Sequence, residues 1–314
     1  MGSEMKKLSI VIPCYNEEET IRPFLAETQK VEEQMSDELI FEYLFINDGS
    51  KDGTLSVLRA VSKEFTNVYY LSFSRNFGKE AGLLAGLEHA TGDFVVVMDA
   101  DLQDPPELLI PMYDKIQRGF DIVGTRRSDR SGEPPVRSFF SKLFYKLINK
   151  VSETEMVDGA RDFRLMTRQV VNSILELQEV NRFSKGLFAW VGYKVDYISY
   201  ENRERVAGTT SWSFWSLLKY SLEGFINFSD APLNLAVWAG FGSFLLSIFG
   251  IIFVVVRKLT VGGSIAGWAS TISIILFIGG IQLLSIGIIG KYISKIFLET
   301  KKRPIYIIKE SNID

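Results

Sequence analysis

Two long stretches without a charged residue lie close together in the last third of the chain. The first spans 233–256 and the second 259–290, and only Arg257 and Lys258 separate them. An α-helix rises 1.5 Å per residue, so about 20 apolar residues cross the hydrocarbon core of a bilayer. Each stretch is therefore long enough for one membrane-spanning helix, and the short link at 260–267 predicts a hairpin. Two helices buried in a soluble core are the alternative, but both stretches exceed the length that such helices usually need.

Basic residues are unevenly distributed around this hairpin. Two lie between the apolar stretches, whereas six follow the second one, namely Lys291, Lys295, Lys301, Lys302, Arg303 and Lys309. The positive-inside rule places the side with this excess in the cytoplasm, and a hairpin returns the chain to the side that it left. We therefore expect a multi-pass protein of the cell (inner or plasma) membrane whose N-terminal domain is cytoplasmic.

The composition narrows the possible chemistry. Hydrophobic residues make up 46% of the 314 residues, which is enough for a sizeable core. The formal net charge of −3 argues against a nucleic-acid partner, because such binders usually carry a basic surplus. Cys14 is the only cysteine and His89 the only histidine. An internal disulfide and a zinc site built from several such residues are therefore excluded, and any metal ion is expected to be a hard cation bound by oxygen.

Apolar segments alternate with helical patterns in the first 125 residues. The predicted strands are 8–13, 43–47, 68–73, 93–99 and 121–125, and the predicted helices are 18–33, 54–65, 78–90 and 106–118. This alternation predicts an α/β domain with a mostly parallel sheet and helices on both faces. Ligands of such sheets bind beyond the carboxyl ends of the strands. Polar clusters follow three of the predicted strands, namely Tyr15–Asn16–Glu17, Asp48, and Asp99 with Asp101.

The stretch VVVMDADLQDPPE, at 95–107, ends a buried strand in carboxylates. At a strand end Asp99 and Asp101 could converge on one ion, and Gln103 could add an amide oxygen. Mg²⁺ or Mn²⁺ bound by one or two carboxylates, with the phosphates of a ligand completing the shell, is the usual arrangement in phosphate chemistry. The alternative is an acidic turn that caps the helix beginning at Pro106, a role that suits Asp104 better than its neighbours. No GxGxxG or GxxxxGK[ST] motif is present after the first strand, which disfavours dinucleotide oxidoreductases and P-loop nucleotidases.

Three segments lie outside this pattern. The segment 133–151 combines basic residues with large aromatic residues at helical spacing, and 212–232 looks similar in its aromatic residues but has a single lysine; both suit the membrane interface. Ordinary helices that pack on the sheet are the alternative. The segment GTRRSDR, at 124–130, carries three arginines, which favour bidentate contacts with phosphate. A solvated basic loop is the alternative there.

Six sequence blocks, in this order, resemble those of glycosyltransferase family 2, and specifically of the polyprenyl-phosphate glycosyltransferases. They are SIVIPCYNEEETI, INDGSKDGT, RNFGKEAGLLAGL, DADLQDPPE, DFRLMTR and NRFSKGL. The two apolar stretches are similar to those of the bactoprenol glucosyltransferases, which are relatives of the dolichol-phosphate mannose synthases. The resemblance implies a GT-A fold, Rossmann-like and mostly parallel, with interface helices and a transmembrane hairpin after it. The expected segments are a catalytic domain at 5–211, an amphipathic juxtamembrane helix at 212–231, a two-helix hairpin at 232–290 and a basic cytoplasmic tail at 291–314.

The resemblance also implies roles for particular residues. Those expected to bind the nucleotide sugar are Pro13, Tyr15, Glu17, Asp48, Lys79, Asp99 and Gln103. Those expected to hold the divalent ion, Mg²⁺ or Mn²⁺, are Asp99, Asp101 and Gln103. Those expected to bind the lipid phosphate are Arg126, Arg137 and Ser141. The expected catalytic residues are Asp162, Asp101 and Arg205, the last of them in a loop that closes over the donor.

The implied reaction is the inverting transfer of a hexose from a nucleotide sugar to undecaprenyl (polyprenyl) phosphate at the cytoplasmic membrane face. UDP-glucose and UDP-N-acetylglucosamine are the expected donors, and GDP-mannose is the alternative. Because a phosphate monoester with a second pKa near 6 is already largely anionic at pH 7, Asp162 is expected to orient the acceptor or contact the sugar rather than remove a proton. We also expect a homo-oligomer, and a lipid flippase among the partners.

Two other classes of protein fit part of the pattern. A processive polysaccharide synthase would share the fold and the metal site, but its QxxRW block is matched here only by QEVNRF at 178–183, with the wrong spacing. A non-catalytic membrane scaffold that binds nucleotide sugars would not need the Asp99 and Asp101 pair. Both therefore remain less favoured alternatives.

Overall fold

The computed structural model describes residues 5–127, 149, 157, 159–201, 231–261 and 267–313 of the chain. The described residues fall into two compact units. The first comprises those up to 201 together with 303–313, and the second comprises those of 231–302. The predicted amphipathic helices lie outside the described residues, apart from positions 149, 231 and 232 at their ends.

The first unit is built on an eight-stranded, mostly parallel sheet. The described strands are β1 (Lys6–Cys14), β2 (Leu39–Asn47), β3 (Val68–Phe73), β4 (Phe94–Val97), β5 (Ile122–Arg127), β6 (Ala160–Thr167), β7 (Val195–Tyr200) and β8 (Ile308–Ser311). Their order across the sheet is β7-β5-β6-β4-β1-β2-β3-β8, and only β6 and β8 run antiparallel to their neighbours. The predicted mostly parallel sheet is therefore confirmed. The strands from β6 onwards lie beyond the segments that periodicity predicts.

Six described helices belong to this unit. They are α1 (Ile21–Met35), α2 (Thr54–Glu64), α3 (Lys79–His89), α4 (Leu109–Gln117), α5 (Arg168–Leu175) and α6 (Ser184–Trp190). Helix α3 packs directly on β1, because a Cβ atom on Gly86 would come within 2.1 Å of the Val11 side chain. One turn earlier in α3, Gly82 faces Pro13 near the carboxyl end of β1. This close packing carries Lys79, at the start of α3, to the edge of the sheet where β1 ends.

The side chains of the central strands fill two cores, one on each face of the sheet. Ile10 and Ile12 of β1 are fully buried in a cluster with residues of α1, α2 and α4. Val11, between them, is fully buried in a second cluster with residues of α3 and α5. Neighbouring side chains of a strand point to opposite faces, so this burial on both faces requires a continuous apolar strand. Helices on both faces of the sheet were predicted and are confirmed.

The second unit consists, in its described part, of two long helices in contact with each other, α7 (Ala231–Val261) and α8 (Trp268–Lys301). Both are long and apolar enough to cross a membrane, over Pro232–Arg257 and Phe277–Lys301. Their large apolar side chains are exposed, as shown by values of 68% for Phe249 and 73% for Leu283. A helix in the core of a soluble protein would bury these side chains. The exposure therefore argues against the alternative of two buried core helices.

Helix α8 continues beyond residue 290, where the uncharged stretch ends. No glycine or proline interrupts the chain between Lys291 and Arg303, so nothing in this segment opposes a helix. The helix ends at Lys301, and the capping residue Lys302 has a φ of 47°, in the left-handed region, with Pro304 following shortly after. The basic residues Lys291 and Lys295 are therefore helical rather than part of an irregular tail.

The chain after α8 returns to the first unit as an edge strand of the sheet. Strand β8 pairs with β3, and the Nε group of Arg59 in α2 donates a hydrogen bond to the Glu310 carboxylate at 2.7 Å. The Tyr306 ring stacks on Phe73 with the ring centroids 4.9 Å apart. The strand sequence IKES is short and polar, which is why the hydrophobic pattern does not predict it.

Candidate active site

Residues from four strands meet at one edge of the sheet. The parallel strands β1, β2 and β4 reach this edge with their carboxyl ends, whereas the antiparallel strand β6 begins there. Val97 of β4 pairs with Arg164 of β6. Two residues further along this ladder, Asp99 follows β4 and Asp162 lies at the start of β6. Because β6 runs antiparallel to β4, Asp162 near its beginning lies at the edge where the parallel strands end, and ligands of parallel sheets bind at that edge.

One ammonium group joins these two carboxylates. The Nζ atom of Lys79 lies 2.7 and 3.0 Å from the two oxygens of Asp99, and 2.6 Å from Oδ2 of Asp162. The three side chains, which we call the site cluster, are 36% exposed for Lys79, 28% for Asp99 and 21% for Asp162. The structure thus brings three of the predicted site residues together at a position that a solute can reach.

The charges of the site cluster fix its protonation states. Burial raises the pKa of Asp162, but the positive charges of Lys79 and Lys185 outweigh it and hold this pKa well below its usual value. Burial lowers the pKa of Lys79, while the negative charges of Asp162 and Asp99 raise it by more, so the net direction is upward. At neutral pH Asp162 is therefore a carboxylate and a poor proton acceptor.

A second lysine contacts the other oxygen of Asp162. The Nζ atom of Lys185, in α6, lies 3.9 Å from Oδ1 of Asp162 and donates a hydrogen bond to the carbonyl of Ala160 at 3.3 Å. The start of α6 is held by Glu80, which accepts hydrogen bonds from the backbone N–H of Ser184, at 2.9 Å, and from its hydroxyl group. Because Glu80 follows Lys79 directly in α3, the first turn of this helix contacts Asp162 and also anchors Lys185.

The turn after β4 carries the other two predicted metal ligands. Asp101 is 5% exposed, and its Oδ1 accepts a hydrogen bond from the backbone N–H of Gln103 at 3.1 Å. Oε1 of Gln103 accepts hydrogen bonds from Arg161 at 3.1 Å and from Arg127 at 3.3 Å. The amide oxygen predicted as a metal ligand is therefore occupied by two guanidinium groups, and it would have to exchange them to bind an ion.

The chemistry of the edge nevertheless fits a divalent ion. The described residues contain no group of three or more His, Cys, Asp or Glu side chains placed to hold an ion by themselves. An ion held by Asp99 and Asp101 would need further ligands, and in the usual magnesium arrangement substrate phosphates supply them. The Lys79 ammonium, 2.7 Å from Asp99, demonstrates that a positive charge is stabilised at this position. These donors fit an ion whose shell is completed by a diphosphate.

Asp104 has a different role from the predicted helix cap. No side chain caps the 3₁₀ turn Pro106–Leu108 with a hydrogen bond. The Asp104 carboxylate instead accepts hydrogen bonds from Nε of Arg161 at 3.1 Å and from the hydroxyl group of Tyr200. It therefore joins the turn to β6 and β7, because an arginine and a tyrosine were available to satisfy a buried carboxylate that would otherwise be costly.

Asp48 supports the loop that leads into α3. Its Oδ1 accepts a hydrogen bond from the backbone N–H of Phe77 at 2.6 Å, and its Oδ2 accepts one from Gly78 at 2.9 Å. Gly78 has a φ of 98°, which favours glycine. Asp48 thus helps to place Lys79, the next residue, and its predicted contact with a nucleotide base stays a prediction.

The remaining residues predicted for the nucleotide surround the end of β1. Tyr15 is 41% exposed, and Pro13 is partly buried at the end of the strand. Glu17 accepts a hydrogen bond from the hydroxyl group of Thr20 at 2.9 Å, and its backbone N–H donates to Thr54 at 2.9 Å. The structure places these residues on the same edge as the site cluster, since β1 and β4 are neighbouring parallel strands.

Only one of the residues predicted for the lipid phosphate is described. Arg126, at the end of β5, is exposed, and its Nε donates a hydrogen bond to the Ser199 hydroxyl at 2.8 Å. Arg137 and Ser141 lie outside the described residues, as does the predicted catalytic residue Arg205. Their roles stay predictions.

Three residues of this edge have no role in the sequence-based prediction, namely Glu80, Arg161 and Lys185. Each lies inside or next to a sequence block that supports the family resemblance, so a signal was present. In the chain, Arg161 is 57 residues from its partner Asp104, Glu80 is 104 residues from its partner Ser184, and Lys185 is 25 residues from its partner Ala160. Spacing along the sequence could not reveal such pairs.

Comparison with known families assigns the chain to a class. A model of Glycosyl transferase family 2 matches residues 9–175, which is more than half of the chain. The matched region runs from within β1 to the end of α5 and contains every residue of the site cluster. The chain belongs to glycosyltransferase family 2.

Similar proteins extend this match to nearly the full length. CsbB of Bacillus subtilis (strain 168), a glycosyltransferase by name, is 48% identical over 98% of this chain and 92% of its own length. The prophage bactoprenol glucosyl transferase homolog of Escherichia coli (strain K12) is 43% identical over 96% of this chain and 98% of its own. The SfII prophage-derived bactoprenol glucosyl transferase of Shigella flexneri is 43% identical over 98% of both chains.

A solved structure shows the same fold. The mannosyltransferase PcManGT from Pyrobaculum calidifontis, determined with GDP-Man and Mn²⁺, superposes with a TM-score of 0.50. The two chains are 19% identical, and the match covers 72% of this chain and 64% of that one. The predicted GT-A fold is thereby confirmed.

Proposed function

We propose that this protein transfers a hexose from a nucleotide sugar to polyprenyl phosphate at a membrane surface, with inversion at the sugar. The observation that carries the proposal is the similarity of about 43% identity to bactoprenol glucosyl transferases, which extends over the catalytic fold and both apolar helices. The site cluster supports it, because a cation-binding acidic edge is what a departing nucleoside diphosphate requires.

Glucose is the favoured sugar, since the relatives are named as glucosyl transferases. UDP-glucose is therefore the first donor to test and UDP-N-acetylglucosamine the second. GDP-mannose, which the mannosyltransferase with the same fold binds, is the third. Pro13, Tyr15, Glu17 and Asp48 would contact the base and the ribose.

A divalent ion, Mg²⁺ or Mn²⁺, would be held by Asp99, Asp101 and Gln103, and it would neutralise charge on the leaving diphosphate. The chain itself contributes Lys79, whose ammonium lies within hydrogen-bond distance of Asp99 and has the charge and reach to contact the same diphosphate. Gln103 would exchange its two arginine partners for the ion. Arg205 would close over the donor.

The reaction needs no proton acceptor in this scheme. An oxygen of the acceptor phosphate forms a bond with the anomeric carbon, and the bond from that carbon to the diphosphate oxygen breaks with its electron pair. A dianionic phosphate monoester becomes a monoanionic diester, while the nucleoside diphosphate leaves with one more negative charge. Because the pKa of Asp162 is lowered, this carboxylate orients the acceptor or the sugar instead of removing a proton.

The two apolar helices explain how a lipid acceptor reaches the site. A polyprenyl chain stays in the bilayer, so its phosphate waits at the surface, and a domain tethered there meets it at a high effective concentration. The excess of basic residues after α8 supports a cytoplasmic catalytic domain in the cell membrane. Arg126, Arg137 and Ser141 would bind the lipid phosphate, and a homo-oligomer and a flippase stay predictions.

The direct test is lipid glycosylation by the purified protein in nanodiscs. Undecaprenyl phosphate is supplied with each radiolabelled donor in turn, with Mg²⁺, Mn²⁺ or EDTA, and the organic phase is counted after extraction. We expect label in the lipid from one donor, loss of label with EDTA, and a single sugar per lipid. Growing polymer would instead identify a processive synthase, and no turnover with any donor would indicate a scaffold.

A further inference from the structure

Lys185 contacts Asp162 but has no role in the proposed binding of the nucleotide-sugar donor. Its Nζ atom lies 3.9 Å from Oδ1 of Asp162, whereas Lys79 contacts Oδ2 at 2.6 Å. Lys79 also contacts Asp99, which belongs to the expected diphosphate side. The two lysines therefore hold the two oxygens of one carboxylate, and only Lys79 bridges to the metal-binding aspartate.

The other contact of Lys185 is with a residue of β6 that pairs with β5. Its ammonium donates a hydrogen bond to the carbonyl of Ala160, at 3.3 Å, and Ala160 is the residue that pairs with Arg126 across the β5–β6 ladder. Arg126 is the described member of the expected lipid-phosphate site. Lys185 thus contacts β6 both at Asp162 and at the residue that pairs with Arg126.

The location of Lys185 is built into the fold. The preceding residue, Ser184, is 6% exposed and is held by the Glu80 carboxylate through both its backbone N–H and its hydroxyl. Burial raises the pKa of Glu80, while the hydrogen bonds from Ser184 oppose this shift. The Lys185 side chain remains 29% exposed, so a fixed backbone presents an accessible ammonium beside Asp162.

We propose that Lys185 binds the phosphate of the acceptor lipid and forms, with Arg126, the acceptor side of the site. This inference rests on the proposed function. In an inverting displacement the acceptor attacks from the face opposite to the leaving diphosphate, so the two phosphate groups approach from opposite sides. A phosphate that carries up to two negative charges must then come close to the Asp162 carboxylate, and an ammonium on that side offsets their repulsion.

The test separates affinity for the acceptor from binding of the donor. Lys185→Met removes the charge, Lys185→Arg keeps it, and Lys30→Met, on the surface of α1 with an ion pair to Glu27, is the matched control. We expect Lys185→Met to raise KM for undecaprenyl phosphate about tenfold or more, because bonds to charged groups are the stronger ones. The Kd for UDP with Mn²⁺ should stay within about twofold of the wild type, and Lys185→Arg should restore most of the lost KM.

Two results would overturn the inference. An unchanged KM for the lipid in Lys185→Met would remove the acceptor role, and an equal loss of UDP binding would assign Lys185 to the donor or to structure alone. If Lys185→Met does not fold, the KM for undecaprenyl phosphate and the Kd for UDP are measured for Lys185→Gln and Lys185→Arg instead, and the same two outcomes apply. Inorganic phosphate, added as a competitor, shows whether the headgroup alone is recognised, since it should inhibit the wild type more strongly than Lys185→Gln. A wild type that transfers no sugar to the lipid would instead end the proposed function itself.

Discussion

Hydrogen-bonded carboxylates lie near both ends of the sheet strands, and the chain satisfies them in different ways. Near the amino ends, Glu42 is 6% exposed and accepts hydrogen bonds from Lys7 at 2.6 Å, from the Ser9 hydroxyl, and from the backbone and hydroxyl of Thr91 at 3.2 and 2.9 Å. We call these four residues the Glu42 cluster. At the carboxyl ends, the site cluster relies on the Lys79 ammonium for its bonds to Asp99 and Asp162.

The difference indicates which carboxylate a ligand can use. Lys7, with a side chain that is 37% exposed, is only one of the groups that hold Glu42, because the Ser9 hydroxyl and the backbone N–H and hydroxyl of Thr91 also donate to it. A solute that displaced the lysine would leave these donors in place. A flexible lysine side chain that is 36% exposed holds Asp99, and its ammonium can move to a phosphate when an ion replaces it. The Glu42 cluster is therefore structural, and the site cluster is exchangeable.

Neutralising the two carboxylates proposed to bind the metal ion should have the largest effect on function and little effect on stability. We expect the double variant Asp99→Asn and Asp101→Asn to lose about 1,000-fold or more in kcat, the scale seen when an electrostatic contact to a transition state is removed. Its melting temperature should change little, because Lys79 loses its pair with Asp99 but keeps the one with Asp162 at 2.6 Å, while the repulsion between two neighbouring carboxylates is removed. Lipid glycosylation and thermal unfolding measure the two quantities, and a loss below tenfold would contradict the assignment of these residues.

Glu42→Gln should show the reverse pattern. It leaves the Lys7 ammonium without its carboxylate and weakens several buried hydrogen bonds, so the free energy of unfolding should fall by about 2 kcal/mol. The kcat of the folded protein should stay at the wild-type level. Thermal unfolding and turnover in the same nanodiscs test this, and a loss of kcat at full folding would show that the two clusters are not separate.

The pH dependence of this stability difference provides the control. Burial raises the pKa of Glu42, but hydrogen bonds from Lys7, Ser9 and Thr91 lower it by more, so the net pKa is lowered. A group with a lowered pKa stabilises the fold above its unfolded pKa, about 4.3 for glutamate, and loses this contribution as the pH falls toward the folded value. The gap in melting temperature between wild type and Glu42→Gln should therefore narrow below about pH 4.3.

Lys79→Met should have the smallest effect of these variants. It tests directly whether a metal ion can replace the Lys79 ammonium at Asp99. Without the ammonium, Asp99 loses the cation that contacts it at 2.7 Å, so Mn²⁺ should bind the donor-free protein about tenfold more tightly, in line with the pKa shifts that one neighbouring charge produces. Turnover should fall at the same time, because the proposed contact of Lys79 with the diphosphate is lost as well. Titration followed by electron paramagnetic resonance measures free Mn²⁺, with Lys30→Met as the control, and weaker binding in Lys79→Met would refute the exchange.

The sequence predicts those site residues that follow the carboxyl ends of the parallel strands. Apolar segments followed by Asp48, Asp99 and Asp101 identify the carboxyl ends of β2 and β4, because parallel strands share one edge. Asp162 breaks this rule, since it lies at the beginning of the antiparallel strand β6, and only the family resemblance located it. No local pattern indicates such a reversal.

Contacts between residues that are distant in the chain could not be predicted either, because no local sequence pattern reports them. The role of Asp48 as the acceptor of two backbone N–H groups depends on a loop 29 and 30 residues later. Lys185 reaches Asp162 only because Glu80 anchors Ser184, 104 residues further along the chain. The types of these residues were visible in the sequence, but their partners depend on how α3 and α6 are packed.

Strand β8 has a consequence for how the protein is made. The ribosome releases β3 long before it translates α7 and α8, and the residues that cover the outer edge of β3 come only after both helices. Until then the nascent catalytic domain presents the unpaired N–H and C=O groups of β3, a surface that promotes pairing with other chains. Completion of the sheet must therefore wait until both apolar helices have left the ribosome, so the biogenesis of the catalytic fold is coupled to that of the two helices.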